Sequence, residues 1–311
     1  MVDIIGVPFD YGGKRLGSRL GPTAIRLAEL VSALRLLGLD IADRGDLSIE
    51  DLPDTDEGFR GFPAFLECVR ALRAAVDQSL NAKHVPIVLG GEHTLVVGSI
   101  SSALNANGDG LGVLWIDAHA DANTPATSAS GNLHGMPLAA LMGLPDGVEG
   151  THRDQWKELL AALGPKRLNP SQVAWYALRQ VDPGELSRVD DGFAVTMHEI
   201  DRFGIEETVD RLDRFWRASG TTELWVSFDV DALDPILAPG TGTAVRGGLS
   251  YRESHLFAEL LRERLDEPAC PYRLCGIDLV ETNPLFDNCN ETAKMAVEWI
   301  ASLLGKTILG R

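Results

Sequence analysis

Short apolar runs alternate along the chain with longer stretches in which apolar residues recur every three or four positions. This is the pattern of buried strands separated by amphipathic helices. Strands are predicted over residues 3–7, 85–89, 111–116, 172–178, 193–196, 224–228 and 273–280. A helix is predicted to start at Pro22, with Leu27, Leu30, Val31, Leu34 and Leu37 on its core-facing side, and to stop at Gly38. Further helices are predicted over 62–83, from Thr94 through Leu104, and over 136–142, 154–163, 206–216 and 290–304, with another running from an N-cap at Ser250 through Arg264. Repeated strand-then-helix order predicts an α/β fold, a mostly parallel sheet with helices on both faces. Ligands of such folds collect beyond the carboxyl ends of the strands.

The polar residues that follow the apolar runs change the picture. The run from Val113 to Ile116 stops at Asp117, after which Asp117, His119 and Asp121 alternate with alanines in IDAHADANTPATSASGNLHG. The run from Leu224 to Phe228 stops at Asp229, with Asp231 two residues on, in SFDVDALDP. In extended backbone a period of two puts such residues on one side. His93 stands at the strand-to-helix junction GGEHT, Asp182 follows the strand at 172–178 in RQVDPGE, and Glu281 ends the last strand in LVETNP. A lone His is more often packed than ligating, and Asp-Pro-Gly is by itself a turn signal. Five strand ends bearing such groups at one sheet edge concentrate repulsion that divalent cations would relieve.

Composition narrows the class. The chain has 311 residues, 45% of them hydrophobic, and a mean hydropathy near zero. No linker, repeat or low-complexity tract divides it, so a single domain over 1–311 is expected. The formal net charge of −17 argues against nucleic acid or an anionic membrane surface as partner and is compatible with a cationic small molecule. No apolar run is long enough to span a membrane, and MVDIIGVPFDYGG lacks the features of a secretory signal, so a cytoplasmic protein is expected. Cys68, Cys270, Cys275 and Cys289 show no CxxC spacing, which fits free thiols in a reducing compartment. The loop DYGGKRLGSRLGPTA fits neither GxGxxG nor a P-loop and reads as a permissive loop near a site.

Four aspartates and two histidines (Asp117, Asp121, Asp229, Asp231, His93 and His119) are too many donors for one ion and enough for two if some carboxylates bridge. Oxygen-rich donors with imidazole and no thiolate favour Mn²⁺ over Mg²⁺, Fe²⁺, Co²⁺ or Ni²⁺, and disfavour structural zinc. Two such ions roughly 3.5 Å apart acidify a shared water, which makes metal-assisted hydrolysis the expected reaction class. His134, in GNLHG, titrates near neutrality and suits proton transfer to a leaving amine. The Glu281 carboxylate matches a guanidinium fork. Hydrolysis of a cationic C–N bond is the leading expectation.

Across nearly the whole chain the motifs IIGVPFDYGG, LGPTAIR, GGEHT, DAHADANTP, SGNLHG, LRQVDPGE, SFDVDALDP, GTGTAVRGGLSYRE and DLVETNP resemble the ureohydrolase family, the arginases more than the agmatinases. The resemblance implies a three-layer αβα sandwich, two Mn²⁺ per chain, and hydrolysis of L-arginine to L-ornithine and urea through a metal-bridging hydroxide. One metal would be held by His93, Asp117, Asp121 and Asp229, the other by Asp117, His119, Asp229 and Asp231. Asp121 would also hydrogen-bond the hydroxide, Glu281 would orient the guanidinium, His134 would shuttle the proton, and Thr243 would line the pocket. Asn123, Ser130 and Asn132 would meet the substrate carboxylate, and Asp182 and Glu185 its ammonium. The NTP…SGN segment, which agmatinases usually lack, favours arginine. The resemblance also implies a homo-oligomer, a trimer or hexamer. GGEHT departs from the usual GGDHS, and Ser128 stands where Thr is common, which leaves agmatine or a guanidino acid as alternative substrates. A non-catalytic relative is a further alternative, disfavoured by the intact ligand positions.

Overall fold

The structure is a computed structural model that describes residues 1–13, 15–50, 52 and 57–309, so Lys14 of the glycine-rich loop lies outside the described residues. Eight strands form one sheet in which every pairing is parallel. They are β1 (Val2–Val7), β2 (Ile41–Asp46), β3 (Val85–Gly90), β4 (Leu111–Ile116), β5 (Val173–Leu178), β6 (Phe193–Thr196), β7 (Glu223–Asp229) and β8 (Arg273–Val280), in the order β2-β1-β3-β8-β7-β4-β5-β6. The last two strands of the chain therefore sit in the middle of the sheet, between β3 and β4.

The helices are α1 (Gly21–Leu27), α2 (Leu30–Leu36), α3 (Phe62–Asn81), α4 (Val96–Asn107), α5 (Pro137–Leu141), α6 (Thr151–Ala162), α7 (Leu186–Asp191), α8 (Met197–Ser219), α9 (Tyr251–Asp266) and α10 (Glu291–Leu303). Alternate side chains of the strands feed two cores. One packs against α1, α2, α8, α9 and α10. The other packs against α3, α4, α5 and α6. This is the expected three-layer αβα sandwich, with strands apolar on both faces because both are covered.

Four elements differ from the sequence pattern, one of them the short α7, which no periodicity announces. The helix expected from Pro22 to Leu37 is two, because Glu29 adopts a left-handed φ of 65°. Leu30 and Leu34 are buried while Leu27 is 74% exposed. Strand β2 reads IADRGD and is buried only at its first residue, as an edge strand can be, so no apolar run announced it. Helix α8 begins well before residue 206, at a capping box of Thr196 and Glu199, and bends at Gly204, where φ is 79°. Ser250 caps α9 as expected, through a second such box with Glu253.

Candidate active site

The five strand ends carrying the polar groups are adjacent in the sheet: β3, β8, β7, β4 and β5. Asp117 follows β4, and its Oδ1 accepts the backbone N–H of His119 at 2.7 Å. Asp229 ends β7, and its Oδ1 accepts the N–H of Asp231 at 2.7 Å. The same turn at both strand ends, rather than the expected extended alternation, brings the paired side chains together. Asp121 is reached through further turning and has a left-handed φ of 48°. The two halves are tied where the Ala118 N–H donates to Asp231 Oδ1 at 3.1 Å.

His93 Nδ1 lies 3.1 Å from Asp117 Oδ2 and 3.2 Å from both Asp121 Oδ2 and Asp229 Oδ2. His119 Nδ1 lies 3.3 Å from Asp117 Oδ1 and 3.0 Å from Asp231 Oδ2. His93 Nδ1 is buried with no hydrogen-bond partner, while its Nε2 is anchored 2.9 Å from Ser227 Oγ. The His93 ring stacks on Trp115 at 4.0 Å, and the Trp115 indole donates to Asp117 Oδ2 at 3.0 Å. Burial opposes a charge on His119, but Asp231 and Asp117 raise its pKa to about 12. Burial and the neighbouring Asp117 push Asp121 up to about 6, and burial with Asp231 and Asp117 raises Asp229. Such mutual strain is what a bound cation removes. Two groups, His93 with Asp117 and Asp229, and Asp117 with His119 and Asp231, have ligand atoms close enough to share an ion. The residues present therefore fit a metal pair.

Above this floor opens a cavity of about 420 Å³. All the remaining predicted site residues line it: His134, Glu281, Asn123, Ser130, Asn132, Asp182, Glu185 and Thr243. Glu281, with a left-handed φ of 63°, accepts the His93 N–H at 2.9 Å and stands 3.8 Å from His134 Nδ1. Burial opposes the charged form of His134, but Glu281, Glu92 and Asp121 raise its pKa to about 9. Thr243 Oγ1 donates to Asp231 Oδ2 at 2.8 Å, so it braces the floor as well as lining the wall. Glu185 is buried, with Oε1 accepting the Ala122 N–H at 2.8 Å and Oε2 the Asp182 N–H at 2.9 Å. Both its oxygens are engaged by backbone, and burial pushes its carboxyl up to about 7. Asp182 Oδ2 accepts from Asn123 Nδ2 at 3.0 Å. Ser130, by contrast, is exposed.

Glu92, Arg15, Ser128 and Gln180 also line it, with Gly13, Gly135 and Gly242, and none of these is among the site residues the sequence points to. Arg15 lies in the glycine-rich loop that the sequence places near a site. Arg179, beside Gln180, donates to Val245 O at 2.8 Å and to the Asp231 carbonyl, and so clamps the loop that carries Thr243. Its partners are backbone oxygens from distant segments, which no local motif announces.

The sequence model of the Arginase family matches residues 1–305. An arginase of Staphylococcus aureus (strain COL) is 40% identical over 315 residues, covering 99% of this chain and 98% of that protein. Among solved structures, the native arginase of Bacillus caldovelox superposes with a TM-score of 0.86 at 36% identity, covering 99% of both chains. A hypothetical agmatinase from Burkholderia thailandensis gives a TM-score of 0.72 at 25% identity, over 97% of this chain and 84% of the other.

Proposed function

The chain belongs to the arginase family, and on that premise we propose that it hydrolyses the guanidinium group of L-arginine to give L-ornithine and urea. The observation that carries this reading is a single cavity joining the carboxylate floor to a mouth of amide and hydroxyl groups at Asn123, Ser130 and Asn132. A substrate with a guanidinium at one end and an amino-acid group at the other matches both ends. Agmatine would leave the mouth without a carboxylate to bind.

His93, Asp117, Asp121 and Asp229 would hold one Mn²⁺, and Asp117, His119, Asp229 and Asp231 the other. Bound there, the pair would supply a water acidified toward neutral pH as the nucleophile. Glu281 orients the guanidinium: one of its oxygens is fixed by the His93 N–H, and Oε2 lies on the Gly242 side of the cavity. His134, whose pKa its neighbouring carboxylates raise against the effect of burial, gives its proton to the departing δ-nitrogen as the bond from the guanidinium carbon to that nitrogen breaks. Asp182 offers a carboxylate to the ammonium, and Glu185 holds the Asp182 turn in place. The same reading takes 1–311 as one domain, working in the cytoplasm as a homo-oligomer, a trimer or hexamer.

The test is urea release from L-arginine, agmatine and 4-guanidinobutyrate after loading with Mn²⁺. Preference for L-arginine is expected. Preference for agmatine would overturn the substrate assignment, and absence of urea from all three would point to a non-catalytic relative.

A further inference from the structure

Glu92 has no role in the scheme above, yet it is 2% exposed and lines the cavity. Its Oε1 accepts the Gly12 N–H at 2.7 Å. Its Oε2 is buried with no hydrogen-bond partner, an unfavourable state for a carboxyl oxygen. A β-carbon placed on Gly13 would lie 2.9 Å from Glu92 Oε2 and 3.9 Å from His134 Nδ1. The carboxyl and the imidazole therefore both border the space that a side chain at position 13 would fill.

Among the carboxylates around His134, Glu281 lies 3.8 Å from Nδ1. Glu281 already accepts the His93 N–H and is the group assigned to the guanidinium. A guanidinium bound there competes with the imidazole for the same oxygens. We infer that Glu92 is a positioning residue for His134: when substrate occupies Glu281, the free Oε2 of Glu92 accepts the Nδ1–H and keeps Nε2 directed at the leaving nitrogen. This rests on the roles proposed above for His134 and Glu281.

Glu92→Gln preserves the volume and the bond from Gly12, but presents an amide NH₂ that cannot accept the Nδ1–H. In the metal-loaded enzyme, kcat on the preferred guanidino substrate is expected to fall about 10- to 100-fold, with KM changed by less than about threefold and metal content equal to the parent's. His134→Ala alone is expected to lower kcat by about 10²–10⁴-fold. In that background Glu92→Gln should cost less than about twofold, because the group it positions is gone. Losses that multiply, or a fall in metal content with Glu92→Gln, would overturn the inference. A parent that prefers agmatine defeats only the substrate assignment, since the same cycle runs on agmatine. A parent that releases no urea from any guanidino compound overturns both.

Discussion

The floor and the mouth of the cavity are built on opposite principles. At the floor, Asp117, Asp229 and Asp231 are nearly fully buried, each is held by backbone or side-chain hydrogen bonds, and each strand end uses the same Asp turn. At the mouth, Ser128 and Ser130 sit in a surface loop held by its own short contacts: Ser128 Oγ accepts the Gly131 N–H at 3.0 Å and Ser130 Oγ the Asn132 N–H at 3.3 Å. The sheet thus fixes the carboxylates and imidazoles of the floor, while the mouth, to which the proposed function gives substrate selection, is a loop that can change without disturbing the sheet.

The strongest way to break this contrast is at the floor. Asp229→Ala removes a carboxylate proposed to serve both ions, so urea release should fall to background, and elemental analysis should show metal lost from a parent expected to bind two per chain. Retained metal and activity would mean that the floor is not the metal site. A smaller effect is expected at the mouth. Asn132→Ala should raise KM for L-arginine about tenfold with kcat little changed, and leave agmatine untouched. Equal losses on both substrates would show that the mouth does not read the carboxylate.

The smallest effect lies away from both regions and sharpens the comparison by sparing activity. Asp3 is buried and meets Arg44 at 2.8 Å, Ser79 at 2.8 Å and His84 at 3.0 Å. Asp3→Asn should cost about 1–3 kcal/mol of stability, seen in thermal unfolding, with kcat/KM unchanged. Burial raises the Asp3 pKa, but His84, Ser79 and Arg44 outweigh it and hold the pKa below the ordinary 3.8. The stabilisation is therefore complete above pH 3.8 and is lost as pH falls through the lower folded value. The gap between parent and variant should persist at neutral pH and close only in acid.

Much of this architecture is legible in the sequence, because buried parallel strands are continuous apolar runs and their ends are marked by Asp117, Asp229 and Glu281. Strand β2 escapes because an edge strand needs no apolar face. The break at Glu29 escapes because Leu30 and Leu34 still fit the periodicity. Which residues share the cavity was foreshadowed by motif, but how they converge was not. Asp121 and Glu281 take left-handed backbone, which no pattern of two or 3.6 describes. Glu92 finds Gly12 and comes to border the same space as His134 only through the fold, since its hydrogen bond spans 80 residues of chain.

The strand order has one more consequence, for the protein as it is made. Before β7 and β8 are synthesised, the sheet can exist only as two separate three-stranded pieces, β2-β1-β3 and β4-β5-β6, with a slot between them. His93 belongs to the first piece and Asp117 to the second, and the hydrogen bond from His93 to Glu281 joins residues 188 apart. A nascent chain therefore holds two open edges facing that slot, with His93 and Asp117 on separate pieces, until β7 and β8 emerge. Insertion of these strands closes the edges and brings Asp229, Asp231 and Glu281 between His93 and Asp117, so the groups proposed as ligands meet only once the sheet is whole.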